Sequence, residues 1–293
     1  MKKILILIIA VLAVACSPSS KQKTEKTKNK PMITVTIEPL RYFTEALAND
    51  RFEVVSMVPK GSSPETYDPT PQQLANLSQS KAYFRIGHIG FEQTWIDRLT
   101  DNAPHLQFFD TSHGIDLIYD THESDEHDHH HGGVEPHIWN STTNAVIIAG
   151  NIAKALCAID KEYKNVYMER YAELCQRIER IDSLIRLQLK SPKADKAFLI
   201  YHPALSYFAR DYELTQISIE DNGKEPSLTH LKQLMHICRQ ERIRIIFVQP
   251  EFDQRNAQLI AQQIGAEIIT LNPLAYDWEA EMLHTAKALI KKD

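Results

Sequence analysis

Residues 33–58 read ITVTIEPLRYFTEALANDRFEVVSMV. The runs ITVTI (33–37) and FEVVSMV (52–58) are rich in β-branched and aromatic residues, as short strands are. A helical pattern over 40–47 separates them. The alternation continues with KAYFRI (81–86) and LQFFD (106–110), and helical patterns fall at 72–80 and 91–100. A second set follows: AFLIY (197–201), LTQISI (214–219), RIIFV (244–248) and EIITL (267–271), with helices expected near 204–211, 227–241, 253–264 and 277–291. Strands alternating with helices build mostly parallel sheets covered on both faces. The chain is therefore expected to be α/β, with two doubly wound lobes: an N-terminal lobe over 32–145 and a C-terminal lobe over 193–293.

The lobes are joined by residues 146–192. Apolar residues recur there at Ile148, Ile152, Leu156, Ile159, Tyr163, Tyr167, Leu174, Ile178, Ile181 and Ile185. Most gaps are three or four residues, the amphipathic helix period. Asp160 is placed to cap a fresh start, which makes 161–190 one helix about 45 Å long. Its charges lack the e/g regularity of a coiled coil. A rod of this kind restricts hinge motion between lobes.

The N-terminus and the charge balance speak to location and partners. Lys2 and Lys3 precede a short apolar run, 4–15, which ends in small residues before Cys16. A charged start and a short apolar stretch make a secretory signal, too short for a bilayer span. Residues 1–16 resemble a lipoprotein signal with Cys16 as the lipidated residue; an ordinary signal with a chance cysteine is the alternative. Residues 17–31 are polar and lysine-rich, a flexible tether. The expected product is tied to a membrane and faces away from the cytoplasm, in the periplasm or on the cell surface. Of the formal charge of −5, leader and tether carry +6, which leaves −11 on the domain beyond them. That excess argues against nucleic acid and suits a cation. Cys157, Cys175 and Cys238 are odd in number and widely spaced, so neither a disulfide framework nor a CxxC zinc site is expected. Buried thiols are the expectation for all three.

The segment DTHESDEHDHHHGGVEPHIW (120–139) holds six of the thirteen histidines: His122, His127, His129, His130, His131 and His137. Carboxylates are interleaved with them. Neutral imidazole with carboxylate is a donor set for a borderline divalent cation such as Zn2+. Residues 120–133 are too polar to bury a core and read as a loop that gathers metal or forms a weaker second site.

In open α/β sheets ligands bind beyond the carboxyl ends of the strands. Four candidates fall there. Glu65 lies in PETYD after the second strand and His137 in the connection after the fourth. His202 directly follows AFLIY, and Asn272 follows EIITL. The remaining histidines, His88, His105, His113, His230, His236 and His284, lack such context and read as structural or exposed. Trp95, Trp139 and Trp278 read as core or cleft lining.

Several segments, in this order, resemble the metal-binding subunit of bacterial ABC importers for zinc or manganese, the helical-backbone class of solute-binding proteins. They are VPKGSSPETYDPTPQQLANLSQSKAYFRIGHIGFEQTW, VEPHIWNSTTNA, AFLIYHPALSYFARDYEL, EPSLTHLKQL and RIIFVQPEFDQRNAQLIAQQIGAEIITLNPLAYDW. The likeness covers nearly everything from Ile33 onward. It implies a metal cleft between the lobes, with one ligand from each of four positions. Two match His137 and His202; histidine at the latter resembles the zinc importers, where manganese members usually carry glutamate. Glu65 stands where a histidine is usual, and Asn272 where an acid is common. Asp277 is a substitute for the fourth. Three protein ligands leave a position for water. The resemblance implies Zn2+ as transported ligand (Mn2+ or Fe2+ as alternatives) and an ABC permease with its ATPase as partners. It also implies a monomer. A metal-binding surface adhesin is the second reading. A zinc hydrolase is the third, disfavoured because HExxH is absent and no general base is paired with the ligands.

Overall fold

The computed structural model describes residues 30–119, 133–221 and 223–291. Cys16 and the signal, and His122, His127, His129, His130 and His131 of the histidine-rich tract, lie outside the described residues.

Two four-stranded sheets stand where the strand readings put them. In the first, β1 (Met32–Val35), β2 (Glu53–Ser56), β3 (Ser80–Arg85) and β4 (Gln107–Asp110) are ordered β2-β1-β3-β4. In the second, β5 (Ala197–Ile200), β6 (Thr215–Ser218), β7 (Ile245–Val248) and β8 (Glu267–Thr270) repeat the pattern as β6-β5-β7-β8. Every pairing is parallel; the central strands AFLI and IIFV read as unbroken apolar runs, while the edge strands EVVS, QFFD, TQIS and EIIT keep polar ends. Helices α1 (Glu38–Ala48), α2 (Pro71–Gln79) and α3 (Gly90–Asn102) connect the first set. Helices α6 (Ser206–Asp211), α7 (Leu228–Gln240), α8 (Arg255–Ile264) and α9 (Trp278–Ala288) serve the second.

The alternation of side chains along each strand divides the second sheet between two cores. Phe198, Ile200, Ile245 and Phe247 join the large cluster that runs through the first lobe and the linking helices. Leu199, Tyr201, Ile246 and Val248 face the other way, onto Leu231, Leu234 and Ile260 of α7 and α8. One apolar core thus crosses from lobe to lobe.

The linking region is two helices broken at Asp160: α4 (Thr142–Ile159) and α5 (Lys164–Leu189), separated by a 3-10 turn at Lys161–Tyr163. Asp160 does not cap the new helix with its side chain. It accepts instead from Arg51 Nη2 at 2.9 Å and from the Tyr167 hydroxyl at 2.7 Å. At 26 residues α5 is about 39 Å long, shorter than the sequence suggested. Among the described residues α4 is long and apolar enough to cross a bilayer, yet half of that stretch is buried within the protein. It is a core helix, packed on α1 and α5.

Direct bridges make the lobes one unit. Arg177 of α5 donates to Glu279 of α9 at 2.9 Å, and Glu279 also takes the Tyr42 hydroxyl of α1. The Tyr276 hydroxyl donates to Glu45 at 2.5 Å. The Trp278 ring lies 5.1 Å from Phe43 and is stacked on Tyr42 at 6.4 Å. Cys157, Cys175 and Cys238 are free thiols, but only Cys238 is buried. The other two are half-buried at the surface of the linking helices, where the amphipathic pattern leaves its flank.

Candidate metal centre

His137 and His202 face each other across the carboxyl ends of the two sheets. Their Nε2 atoms are 3.1 Å apart and their ring centroids 4.9 Å apart. His137 sits in the connection between β4 and α4, and His202 lies two residues beyond β5. Neither is near the other in sequence; the fold brings them together.

Each imidazole is aimed by a carboxylate at its other nitrogen. His137 Nδ1 lies 2.5 Å from Glu135 Oε1, and Glu135 also accepts the His137 backbone N–H at 3.0 Å. His202 Nδ1 lies 2.8 Å from Glu220 Oε1. A carboxylate at Nδ1 keeps the proton there and leaves the Nε2 lone pair exposed, the usual second shell of a metal-bound histidine. Two such lone pairs 3.1 Å apart repel unless a proton or a cation lies between them. Two nitrogens on a tetrahedral zinc stand about 3.3 Å apart at the usual Zn–N distance of about 2.05 Å, so the pair is already spaced to share an ion.

Rings and loops hold both imidazoles. Trp139 meets His137 edge-on at 5.2 Å, and Phe252 stacks on His202 at 5.0 Å and 20°. Ser206 donates to Glu135 Oε2 at 2.9 Å, and Asn140 Nδ2 donates to Ala204 O at 2.8 Å. The His137 connection is therefore sewn to the loop that carries His202.

Glu65 lies on the rim of the same cavity, in the connection from β2 to α2. Its loop is docked on the start of α3: Phe91 N–H donates to Pro64 O at 3.0 Å and Gly90 N–H to Glu65 Oε2 at 3.3 Å. A Cβ at Gly90 would stand 2.8 Å from Glu65 O, so glycine is what lets the loop approach. Glu65 Oε1 is buried and takes no hydrogen bond from protein, an orphaned acceptor of the kind a cation satisfies. Among the described residues no three His, Cys, Asp or Glu side chains yet converge as a closed ligand set. The preformed element is the histidine pair, with Glu65 beside it.

Asn272 is not brought to the pair. Its Oδ1 accepts from Leu274 N–H at 3.1 Å and its backbone N–H donates to Glu281 at 2.7 Å, closing the turn after β8. It lines a neighbouring cavity instead, as does Asp277, whose carboxylate caps α9 by accepting from Ala280 N–H. The turn before Pro273 holds the amide oxygen on the Leu274 N–H.

The cavity between the histidines has free space of about 20 Å³, room for one water-sized body. A larger space of about 430 Å³ opens beside it, lined by Glu65, Glu135, Glu220 and both histidines. Three carboxylates at this mouth favour a cation. Nearby, Tyr119 and Val134 form an antiparallel bridge, and Glu135 N–H donates to Ile118 O at 2.9 Å.

Burial disfavours a charged His137, but Glu135, with Glu65 and Glu220 nearby, outweighs it and raises the imidazole above its ordinary value. Burial acts on Glu135 in the opposite sense to its neighbours, and its contacts with His137 hold it below the usual carboxylate range. The metal-free site thus favours a proton where a cation would sit. Sequence reasoning missed Glu135 and Glu220. Glu135 left a signal, a carboxylate two residues before the histidine in EPH. Glu220 left none, because nothing along the chain connects SIED to His202. None of the six other histidines in the described residues lines these cavities.

Comparison with known proteins places the chain in a family. Residues 33–291 match the family model described as zinc-uptake complex component A, periplasmic. A crystal structure of ZnuA aligns with a TM-score of 0.82 and 35% identity, covering 88% of this chain and 97% of that one. The high-affinity zinc uptake system protein ZnuA of Bacillus subtilis (strain 168) is 26% identical over 278 residues, 90% of this chain and 85% of that protein. The manganese ABC transporter substrate-binding lipoprotein PsaA of Streptococcus anginosus is 28% identical over 281 residues, 92% of this chain and 88% of that protein. With nearly the whole chain matched, two four-stranded parallel lobes and a histidine pair at their carboxyl edges, the protein belongs to the zinc-uptake component A family of periplasmic proteins.

Proposed function

We propose that this protein captures Zn2+ outside the cytoplasm and delivers it to an ABC importer, with His137 Nε2, His202 Nε2 and a Glu65 oxygen as ligands. The observation that carries the reading is the pair of Nε2 atoms 3.1 Å apart, each backed by a carboxylate. Two nitrogen donors favour Zn2+ over Mn2+ on the ordinary affinity order of divalent ions. The permease and its ATPase supply the energy of import. The chain's own residues bind, orient and release the ion, and the reading assigns them no reaction on an organic molecule. The bridges between lobes argue for small shifts at the cleft rather than wide opening.

Loading exchanges a proton for the metal. Because His137 is held above its ordinary value of about 6.5, competition by protons sets in above that pH as acid is added. Below that point the apparent affinity should fall about tenfold per pH unit for one displaced proton. Competitive titration with Zn2+ and Mn2+ between pH 8 and 5.5 checks both statements, with and without residues 121–133. Tight zinc binding that survives the deletion and weakens with acid is expected. Binding that leaves with the tract, or a preference for Mn2+, rejects the zinc reading.

The location belongs to the same proposal. Cys16 carries the lipid that ties a monomer to the membrane surface, and residues 17–31 tether it. Cys16→Ser is expected to shift the protein from the membrane fraction to the soluble one; unchanged fractionation counts against the anchor.

A further inference from the structure

We propose that Glu251, in the turn between β7 and α8, is the fourth ligand of the metal, in the place the turn at Asn272 leaves unfilled. This rests on the cleft reading above and adds a residue to it.

Glu251 lines the same small cavity as Glu65, His137 and His202. Among the described residues no other residue donates a hydrogen bond to its carboxylate. A half-buried acid without an ion-pair partner, next to a histidine pair, is the group a cation would recruit.

The turn is fixed to His202 from both sides. Gln249 Oε1 accepts the His202 N–H at 3.3 Å and Gln249 Nε2 donates to His202 O at 2.6 Å. Phe252 stacks on the His202 ring at 5.0 Å, and its N–H donates to Gln249 O at 3.3 Å to close the turn. Gln249 and Phe252 flank Glu251, so the clamp that registers them against His202 registers the carboxylate too. Asn272, by contrast, has its side-chain oxygen committed to Leu274 N–H.

Counting the ligands alone, two neutral imidazoles and one carboxylate leave one net positive charge on a bound divalent ion, which a second carboxylate ligand would cancel.

The test compares Glu251→Gln, Glu251→Ala, Asn272→Ala and His202→Ala in competitive Zn2+ titration and in the Co2+ absorption spectrum. Both Glu251 variants are expected to bind zinc about 10- to 100-fold more weakly than the parent, at least the loss known for outer-shell groups. Their Co2+ bands should change in position and intensity, and the metal-free melting temperature should hold. Asn272→Ala should bind as the parent does. Wild-type affinity and an unaltered Co2+ spectrum in Glu251→Gln, with binding lost in His202→Ala, overturn this inference and leave the cleft reading intact. Retention of tight binding in His202→Ala overturns the cleft reading itself. If Glu251→Gln misfolds, Glu251→Asp decides: a shifted Co2+ spectrum supports ligation, and an unchanged one rejects it.

Discussion

Replacing His202 with alanine should weaken zinc binding by on the order of 3 kcal/mol, roughly a hundred-fold, because a four-ligand zinc site is worth about 10–16 kcal/mol and one ligand is near a quarter of it. The same is expected for His137→Ala. Fold stability should fall by about 1–3 kcal/mol in His202→Ala, since Glu220, 8% exposed, is left without its partner. The supporting carboxylates should show a graded effect. Glu135→Gln and Glu220→Gln each replace the charged acceptor that holds the proton on Nδ1 with a neutral amide, and about 10- to 100-fold loss is expected. Glu135→Gln should be the more damaging of the two, because Glu135 also accepts from Ser206 and from the His137 backbone. Isothermal titration with a competing chelator measures all four. Glutamine variants weaker than the alanine variants would mean that the metal sits elsewhere, with the carboxylates as its ligands.

Trp278→Ala should destabilise the metal-free protein by about 3–5 kcal/mol, the range for a buried tryptophan removed from a core. Trp278 is 2% exposed and packs on Phe43 and Tyr42, so the change opens a void where the two lobes meet. It also strips a donor from the Trp139 carbonyl, which accepts Trp278 Nε1 at 2.7 Å. Trp139 in turn donates Nε1 to Pro273 O at 2.8 Å and lies against His137. The damage therefore reaches the site through one shared residue. Urea denaturation measures the loss, and Trp278→Phe, which keeps a ring and drops the donor, should lose about 1–3 kcal/mol. Saturating zinc should restore part of the stability of both, because a ligand that binds only the folded state raises its stability by mass action. A loss under about 1 kcal/mol in Trp278→Ala would show that the lobes are held by other contacts.

The strands were legible because parallel sheets buried on both faces demand continuous apolar runs, and AFLI and IIFV are such runs. The helix expected near 227–241 is found at Leu228–Gln240, where the Ser227 hydroxyl accepts from His230 N–H at 3.1 Å. The break at Asp160 was visible, but its cause was misread. Capping is a local event that a sequence can suggest, whereas the partner Arg51 is 109 residues away.

The sequence by itself determined the two α/β lobes, the linking helices and the pairing of His137 with His202 as candidates, because each rests on local periodicity or on a short motif at a strand end. Only the tertiary structure decided what surrounds them. It turned Asn272 inward to its own turn, set Glu135 and Glu220 behind the imidazoles and brought Glu251 to the cavity. The reason is geometric. A metal site is built from groups a few ångströms apart on different loops, and Glu220 and Gln249 reach His202 across 18 and 47 residues of chain that carry no mark of the meeting.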